Sequence, residues 1–326
     1  MLTTPGKKML IGLGKINCDI HWRMRWELQQ KEKIKQNYYA YDIYDSHRGW
    51  ALKPNMVNVQ MNEDKIINSN SKGIRGTTEY QYGKAKKKRI LILGDSFTFG
   101  EEVNDNETYS YYLQEMLPFT EVINFGVHGY GHDQMLIYFM EEGIKYKPDI
   151  VVLGFVDLDM ERNTLKFRDY AKPKYELEEG KLIIKNYPVP SPNTLNNRWF
   201  RSRSIDLIDI VHHGLRSKTG LEKGEAEEMT SGILDEMVKQ IRGIGALPIF
   251  VHLPVGKQII SNKEDTYLYK YCHNRSICYK SVFPYFKEAN LLGEKNDITK
   301  HWSAREHNIA AKAIKEIINR DPIINK

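Results

Sequence analysis

The stretch that decides the fold is Arg89-Ile90-Leu91-Ile92-Leu93-Gly94-Asp95-Ser96-Phe97-Thr98-Phe99-Gly100. Its apolar run, Ile90 to Leu93, shows no alternation with polar residues, which predicts a strand buried on both faces, as in a parallel sheet. Gly94-Asp95-Ser96 ends the run with small residues that turn the chain. Ser96 is therefore expected at the carboxyl end of a strand, where open α/β sheets bind their ligands. Taken alone, Ser96 could equally be the cap of the next helix.

After this strand, apolar runs alternate with helical patterns along the chain. The further apolar runs are 121–127, 149–156, 246–253 and 276–279, and the helical patterns are 106–117, 132–145, 227–243 and 262–272. Alternating strands and helices predict a parallel sheet with helices on both faces. The expected fold class is α/β, with three α/β/α layers around a five-stranded parallel sheet.

The C-terminal part supplies a histidine and an acid in front of a helix. Asp297 and His301 precede a segment with apolar residues at 309, 310, 313, 314 and 317, which is the spacing of a buried helical stripe. His301 is therefore expected in the loop before that helix, with Ser303 as its cap. A serine, a histidine and an acid give a nucleophile, a base and an orienting carboxylate.

Three blocks together resemble the SGNH/GDSL hydrolases, in the branch of bacterial esterases and acyltransferases that act on surface glycans. Residues 94–100 resemble the nucleophile block, 124–131 (Asn-Phe-Gly-Val-His-Gly-Tyr-Gly) the second block, and 301–304 (His-Trp-Ser-Ala) the block that carries the base. The blocks occur in the family's order, and the resemblance covers residues 88 to 318. It implies the flavodoxin-like SGNH fold.

The resemblance also implies a role for each matching residue. Ser96 would attack an ester carbonyl, His301 would be the base, and Asp297 would orient His301. The backbone N–H groups of Ser96 and Gly129 would form the oxyanion hole. The function expected is a serine esterase that cleaves a short acyl ester, O-acetyl first, on a carbohydrate-like substrate through an acyl-serine intermediate.

Two other functions stay open because they use the same residues. If a sugar hydroxyl rather than water attacks the acyl-serine, the protein is an O-acyltransferase. If the site has lost catalytic power, the protein is a glycan-binding module.

The sequence departs from the family pattern at two places. Where the family offers an asparagine side chain to the oxyanion, after the third strand, this chain has Asp157 and Asp159. An ionised Asp cannot donate a hydrogen bond. Either Asn163 reaches back, one Asp is held protonated, or only the backbone donates. The second departure is Asp297, which lies four residues before His301 instead of two or three, so a Ser–His pair without the acid is an alternative.

The chain is expected to have two parts. Residues 1–87 are interpreted as an N-terminal strap packed on the core, beginning with an exposed helix at 19–37. Residues 88–320 are interpreted as the hydrolase domain. It includes a long insertion, 160–225, with a hairpin near 175–184 and with Trp199 and Phe200. Long loops are usually functional or disordered, so the insertion is a candidate lid.

Composition narrows the class of partner. The chain has 326 residues, 41% hydrophobic and 28% charged, with a net charge of +6, which is typical of a globular protein. No basic and aromatic stripe and no phosphate-binding or dinucleotide fingerprint occurs, so neither nucleic acid nor an organic cofactor is expected. Cys272 and Cys278 are six residues apart without nearby second ligands, which is a poor metal pattern, so no metal is expected. No apolar stretch is long enough for a transmembrane segment. The expected partner is a small-molecule or glycan acyl ester, and the sequence does not indicate an oligomeric state.

Cysteine usage bears on localisation. The three cysteines are Cys18, Cys272 and Cys278, and an odd, small number argues against a disulfide framework and fits a reducing compartment. A cytoplasmic location is expected if the chain is full length. An exported or membrane-associated location is expected if a signal or anchor was trimmed.

Overall fold

The computed structural model describes residues 18–32, 39–61, 64–192, 194, 212, 215–216, 219–256, 267–291 and 301–320. They divide into two compact units. Unit 1 takes its described residues from Met1–Ala51, Gly131–Ile137 and Met160–Leu234, and unit 2 from Leu52–Tyr130, Tyr138–Asp159 and Asp235–Lys326. The boundary predicted from the sequence lay after residue 87. In the structure, residues up to 51 belong to unit 1, whereas residues 52–87 belong to unit 2, which contains the sheet.

The strands are numbered in chain order. They are β1 Asp42–Asp45, β2 Gly49–Leu52, β3 Val59–Gln60, β4 Ile66–Ile67, β5 Lys88–Gly94, β6 Thr120–Gly126, β7 Ile150–Phe155, β8 Phe167–Arg168, β9 Tyr170–Ala171, β10 Lys174–Glu178, β11 Lys181–Lys185, β12 Leu247–His252 and β13 Cys278–Ser281. The five strands predicted from apolar runs are β5, β6, β7, β12 and β13, so all five predictions are confirmed.

The described helices are likewise numbered in chain order. They are α1 Asp19–Glu32, α2 Ser96–Phe99, α3 Tyr109–Met116, α4 His132–Glu141, α5 Leu158–Arg162, α6 Leu221–Gly243, α7 Tyr267–Asn274, α8 Phe283–Glu288 and α9 Ala304–Arg320, with short 3-10 turns at Asp105–Glu107 and Gly143–Tyr146. None of these helices has the length and apolar character needed to cross a membrane.

Unit 2 is built on the predicted parallel sheet. Its strands lie in the order β13-β12-β7-β5-β6, and all neighbours are parallel. Counted along the chain within the sheet, this is the order 2-1-3-4-5 of doubly wound flavodoxin-like folds. The chain reverses direction across the sheet between β5 and β7, and ligands bind at such a switch point. The α/β fold class is therefore confirmed, and Ser96, directly after β5, lies at the switch point.

Both faces of the sheet are covered, as the unbroken apolar runs predict. Successive side chains of a strand point to opposite faces, yet Ile90, Leu91, Ile92 and Leu93 are all fully buried. Ile90 and Ile92 belong to a core cluster with residues of α3, α8 and α9. On the other face, Phe125 of β6 stacks on Tyr138 with ring centroids 4.4 Å apart.

Unit 1 contains the hairpin expected in the insertion. β10 and β11 pair antiparallel, with Tyr175 opposite Ile184. Helix α1 was expected to be exposed, and this is wrong: Met24 and Trp26 are buried, because Trp26 packs edge-to-face on Phe167. The insertion residues expected in a lid, Trp199 and Phe200, lie outside the described residues.

Candidate active site

Ser96 is placed by a tight turn between β5 and α2. Asp95 is the N-cap of α2, and its side chain accepts a hydrogen bond from the Phe97 N–H at 2.9 Å. Gly100 ends the helix at φ 88°, a left-handed conformation that favours glycine. Ser96 therefore starts a four-residue helix whose two ends are both fixed, and the serine is presented at the carboxyl edge of the sheet.

Two glycines allow this helix to lie against the strands. A Cβ at Gly94 would come 1.8 Å from Thr98 Oγ1, and one at Gly126 would come 2.2 Å from the Phe99 backbone N. Real Cβ atoms do not approach that closely, so neither position accepts a side chain without a shift. The glycines of the first two sequence blocks therefore bring α2 against β5 and β6.

The structure brings Ser96 and His301 together. His301 Nε2 lies 2.8 Å from Ser96 Oγ, which is the hydrogen-bond distance required of a nucleophile and its base. Ser96 is only 4% exposed, and the Phe97 ring lies 4.9 Å from the His301 ring. Asp95 Oδ2, at 3.4 Å from Ser96 Oγ, is a longer and weaker alternative acceptor. The Ser96–His301 pair can act as a proton-transfer pair.

The loop that carries His301 is anchored by the next residues. Trp302 is buried, and its ring N–H donates to the Pro254 carbonyl at 3.2 Å. Ser303 precedes α9, and both its N–H and its hydroxyl donate to Glu306, at 2.6 and 2.7 Å. This is the glutamate half of a capping box. Ser303 occupies the N-cap position, since its carbonyl accepts from the His307 N–H at 3.1 Å, but its hydroxyl donates to Glu306 instead of accepting a backbone N–H.

His307, the other histidine of this region, is a core residue. It is fully buried, and its Nδ1 accepts a hydrogen bond from the Tyr109 N–H at 3.2 Å. Burial lowers the pKa of His307 to about 3, and the nearby Arg75 and His301 act in the same direction. The lowered pKa makes His307 a weak base, and its complete burial keeps it from substrate, so it is not a replacement for His301.

Two backbone donors are available for an oxyanion. Within the described residues, the N–H groups of Ser96 and Gly129 donate no hydrogen bond. Gly129 follows β6 in a turn, at φ 73°. The end of β6 before this turn is held by Asn124, whose side chain donates to Thr98 O and Ser110 Oγ and accepts from the Gly126 N–H. Both glycine and serine N–H groups therefore remain candidates for the roles that the family resemblance implies.

Asn163, the first of the three alternatives for the oxyanion, has its side chain engaged by other residues. Its side-chain N–H groups are engaged by His132 Nδ1 at 3.1 Å and Thr230 Oγ1 at 2.8 Å, and its oxygen accepts from the Asp133 N–H. All of these residues belong to unit 1. Asp159, the second alternative, has no exposed surface, so no substrate atom can contact it. Two of the alternatives remain: Asp157, and an oxyanion hole with backbone donors alone.

Asp157 follows β7 and is paired with a histidine from the next strand. His252 Nε2, at the end of β12, lies 3.2 Å from Asp157 Oδ2. His252 is fully buried. This pair stands where the family has an amide donor, and sequence reasoning missed His252. The rule that parallel strands end at one edge could have found it, because His252 is the last residue of its strand.

Two further carboxylates lie beside His301. Glu101 Oε2 is 3.5 Å from Nε2, and Glu102 Oε1 is 3.8 Å from Nδ1. Sequence reasoning missed both, although they directly follow the nucleophile block. Asp297, the predicted orienting acid, lies outside the described residues.

Within the described residues, no three histidine, cysteine or acidic side chains form a cluster that could hold a metal.

The strap contributes one arginine to the site's support. Arg75 donates to the carbonyls of Phe99 and Gly100 at 2.7 and 2.6 Å and to the Val103 carbonyl at 2.6 Å. Its Nε also pairs with Asp105 Oδ1 at 2.8 Å. These carbonyls lie at the C-terminal end of α2 and in the following loop, so Arg75 fixes the segment that joins Ser96 to Glu101 and Glu102.

Comparisons with known proteins find similarity to solved structures. No protein-family model and no curated protein matches the sequence. A member of the lipolytic protein G-D-S-L family from Veillonella parvula is 13% identical over 72% of this chain and 100% of its own, with a TM-score of 0.43. A GDSL-like lipase from Bacteroides thetaiotaomicron is 13% identical over 74% of this chain and 92% of its own, with a TM-score of 0.40.

An acetylxylan esterase from Geobacillus stearothermophilus, solved as a catalytic mutant, is also similar. It is 13% identical over 74% of this chain and 98% of its own, with a TM-score of 0.44.

Proposed function

We propose that the protein is a serine ester hydrolase of the SGNH/GDSL type. The observation that carries the proposal is the 2.8 Å contact between His301 Nε2 and Ser96 Oγ, at the switch point of a parallel sheet. A glycan-binding module needs no nucleophile–base hydrogen bond. The N–H groups of Ser96 and Gly129, which donate no hydrogen bond within the described residues, are the proposed donors for the second requirement of acyl transfer, stabilisation of the negative charge that develops on the carbonyl oxygen.

The reaction follows from this geometry in two steps. Ser96 Oγ attacks the ester carbonyl while its proton passes to His301 Nε2, and the tetrahedral oxyanion lies against the N–H groups of Ser96 and Gly129. His301 then returns the proton to the leaving alcohol, and an acyl-Ser96 remains. Water, deprotonated by His301, hydrolyses this acyl-enzyme and regenerates the serine.

We infer that the substrate is a short acyl ester of a polar, carbohydrate-like alcohol. Ser96 is almost completely buried, so the site favours a small acyl group such as acetyl. The carboxylates of Glu101 and Glu102 lie beside His301; they can accept hydrogen bonds from hydroxyl groups and disfavour anionic substrates. A long lipid chain would require an extended apolar groove.

The test is hydrolysis of 4-nitrophenyl acetate, butyrate and octanoate and of peracetylated xylose by the wild type and by Ser96→Ala. Acetate esters should be cleaved best, and Ser96→Ala should fall to the background rate. A wild type that cleaves none of these esters at any enzyme concentration would contradict the hydrolase proposal. If transfer of the acetyl group to an added sugar is faster than its hydrolysis to acetate, the protein is an acyltransferase with the same site.

A further inference from the structure

One ring nitrogen of His301 has no hydrogen-bond partner among the described residues, and Asp297, the acid that the family pattern implies for it, lies outside them. Nε2 faces Ser96 Oγ, whereas Nδ1 is buried and has no hydrogen-bond partner among the described residues. Nε2 can receive the serine proton only if the single N–H of the neutral ring is on Nδ1. A negatively charged group beside Nδ1 favours this tautomer, because it attracts the proton on that nitrogen.

Glu102 is the described carboxylate that faces this nitrogen. Its Oε1 lies 3.8 Å from His301 Nδ1, and 43% of the Glu102 side chain is exposed. This distance is longer than a hydrogen bond and within the range of an ion pair. Glu101 faces the other nitrogen, with Oε2 3.5 Å from Nε2. Of these two neighbouring acids, only Glu102 is on the side where the proton must reside.

The backbone of Glu102 is held in a conformation that a glutamate rarely adopts. Its φ is 69°, in the left-handed region where a Cβ costs about 1–2 kcal/mol per residue. Arg75 binds the carbonyls of Gly100 and Val103 on either side of it. Such strain persists where neighbouring contacts enforce it, and it concentrates at functional sites. The clamp by Arg75 thus holds Glu102 in the turn from which its carboxylate faces His301.

We propose that Glu102 is a positioning residue for His301: its carboxylate holds the ring proton on Nδ1 and stabilises the imidazolium that forms when Ser96 gives up its proton. Among the residues that the structure describes, three other charged groups near the pair are directed elsewhere. Glu101 faces Nε2, Asp95 faces Ser96, and Arg75 is paired with Asp105. The kinetic consequence of this inference rests on the proposed ester hydrolysis, whereas the proton position does not.

The experiment measures the position of that proton directly. In protein labelled with ¹⁵N-histidine, the ¹⁵N shifts of the His301 ring at pH 8, assigned with His301→Asn, report which nitrogen carries the hydrogen. In the wild type, Nδ1 should be the protonated nitrogen. Glu102→Ala should move the ring toward an even mixture of the two tautomers, and Glu102→Asp, which keeps the charge, should recover part of the wild-type pattern. Glu115→Ala, which removes an exposed acid from α3, is the matched control.

Turnover of 4-nitrophenyl acetate is the second readout. Because an orienting carboxylate acts mainly in the transition state, Glu102→Ala should lower kcat about tenfold or more and leave KM nearly unchanged. If Glu102→Ala matches Glu115→Ala in both ring shifts and kcat, the inference is wrong. Asp297→Ala, measured in parallel, shows whether the acid implied by the family pattern contributes as well. If the wild type hydrolyses no ester, the proposed function fails, and the ring shifts still decide the role of Glu102.

Discussion

Replacing Arg75 by alanine should destabilise the protein and disturb the site, although residue 75 belongs to the strap rather than to the catalytic blocks. The guanidinium binds three backbone carbonyls and the Asp105 carboxylate, and its side chain is only 2% exposed. Four charge-assisted hydrogen bonds at about 1.5–3 kcal/mol each would sum to far more than such networks deliver. Removing one partner of a buried ion pair typically costs about 3–5 kcal/mol.

We expect the lower end of that range, about 3 kcal/mol in the free energy of unfolding, because Asp105 is partly exposed and can be hydrated. The free energy of unfolding of Arg75→Lys should lie between those of Arg75→Ala and the wild type, since a lysine keeps the charge and loses the planar guanidinium that reaches several oxygens. In the folded fraction, kcat should fall about tenfold to 100-fold, because the carbonyls hold the end of α2, and small displacements of reacting groups are costly.

The assay is urea unfolding followed by circular dichroism, fitted with separate transitions for the two units, together with turnover of 4-nitrophenyl acetate. Arg305→Ala is the matched control, because Arg305 belongs to the same unit, is exposed, and makes one hydrogen bond within the described part of the chain, to the Ala289 carbonyl. It should change stability by no more than about 0.5 kcal/mol. If Arg75→Ala unfolds like the control and keeps full kcat, the clamp has no role in placing the nucleophile.

Three other substitutions follow from the site. Gly94→Ala should destabilise by about 1–3 kcal/mol and reduce turnover, because its Cβ would meet Thr98 Oγ1 at 1.8 Å; wild-type unfolding and kinetics would contradict this. His307→Asn should keep activity and reduce acid sensitivity: with a pKa of about 3 when folded and 6.5 when unfolded, this histidine costs about 1.4 kcal/mol of stability for each pH unit below 6.5. An unchanged slope of unfolding free energy against pH, down to about pH 4, would refute the linkage. Asp157→Asn should preserve or raise kcat, since an amide can donate to the oxyanion and a carboxylate opposes it; a loss with intact stability would instead assign the Asp157–His252 pair to substrate binding.

The pattern of apolar residues in the sequence made the fold predictable. The apolar run at Ile90–Leu93 and the four apolar runs that follow it form strands that are covered on both faces. Such strands need apolar residues without alternation, and this distinguishes the strands of a buried parallel sheet from strands with one face in solvent. Ser96 and His301 were predictable for a related reason. Each lies at a boundary that glycine, aspartate or serine marks in the sequence, and parallel strands place such boundaries at one edge.

The missed features depend on contacts between distant segments. Asn163 could be excluded from the oxyanion only when its bonds to His132 and Thr230 were seen, because its sequence position alone puts it near the end of β7. The role of Arg75 likewise depends on which carbonyls a strap residue meets. Helix α1 was expected to be exposed because its polar residues outnumber its apolar ones, and its burial results from packing of a few large side chains such as Trp26.

The central claim is that Ser96 is a nucleophile activated by His301, and covalent labelling tests it most directly. A fluorophosphonate should form a stable adduct, and peptide mass spectrometry should locate this adduct on Ser96. Ser96→Ala should abolish the adduct, and His301→Ala should slow its formation about 100-fold or more, because the base contributes typically 10²–10⁴-fold. His307→Asn should label at the wild-type rate. Labelling of the folded Ser96→Ala protein at the same rate, or an unmodified Ser96 in folded wild type, would contradict the account.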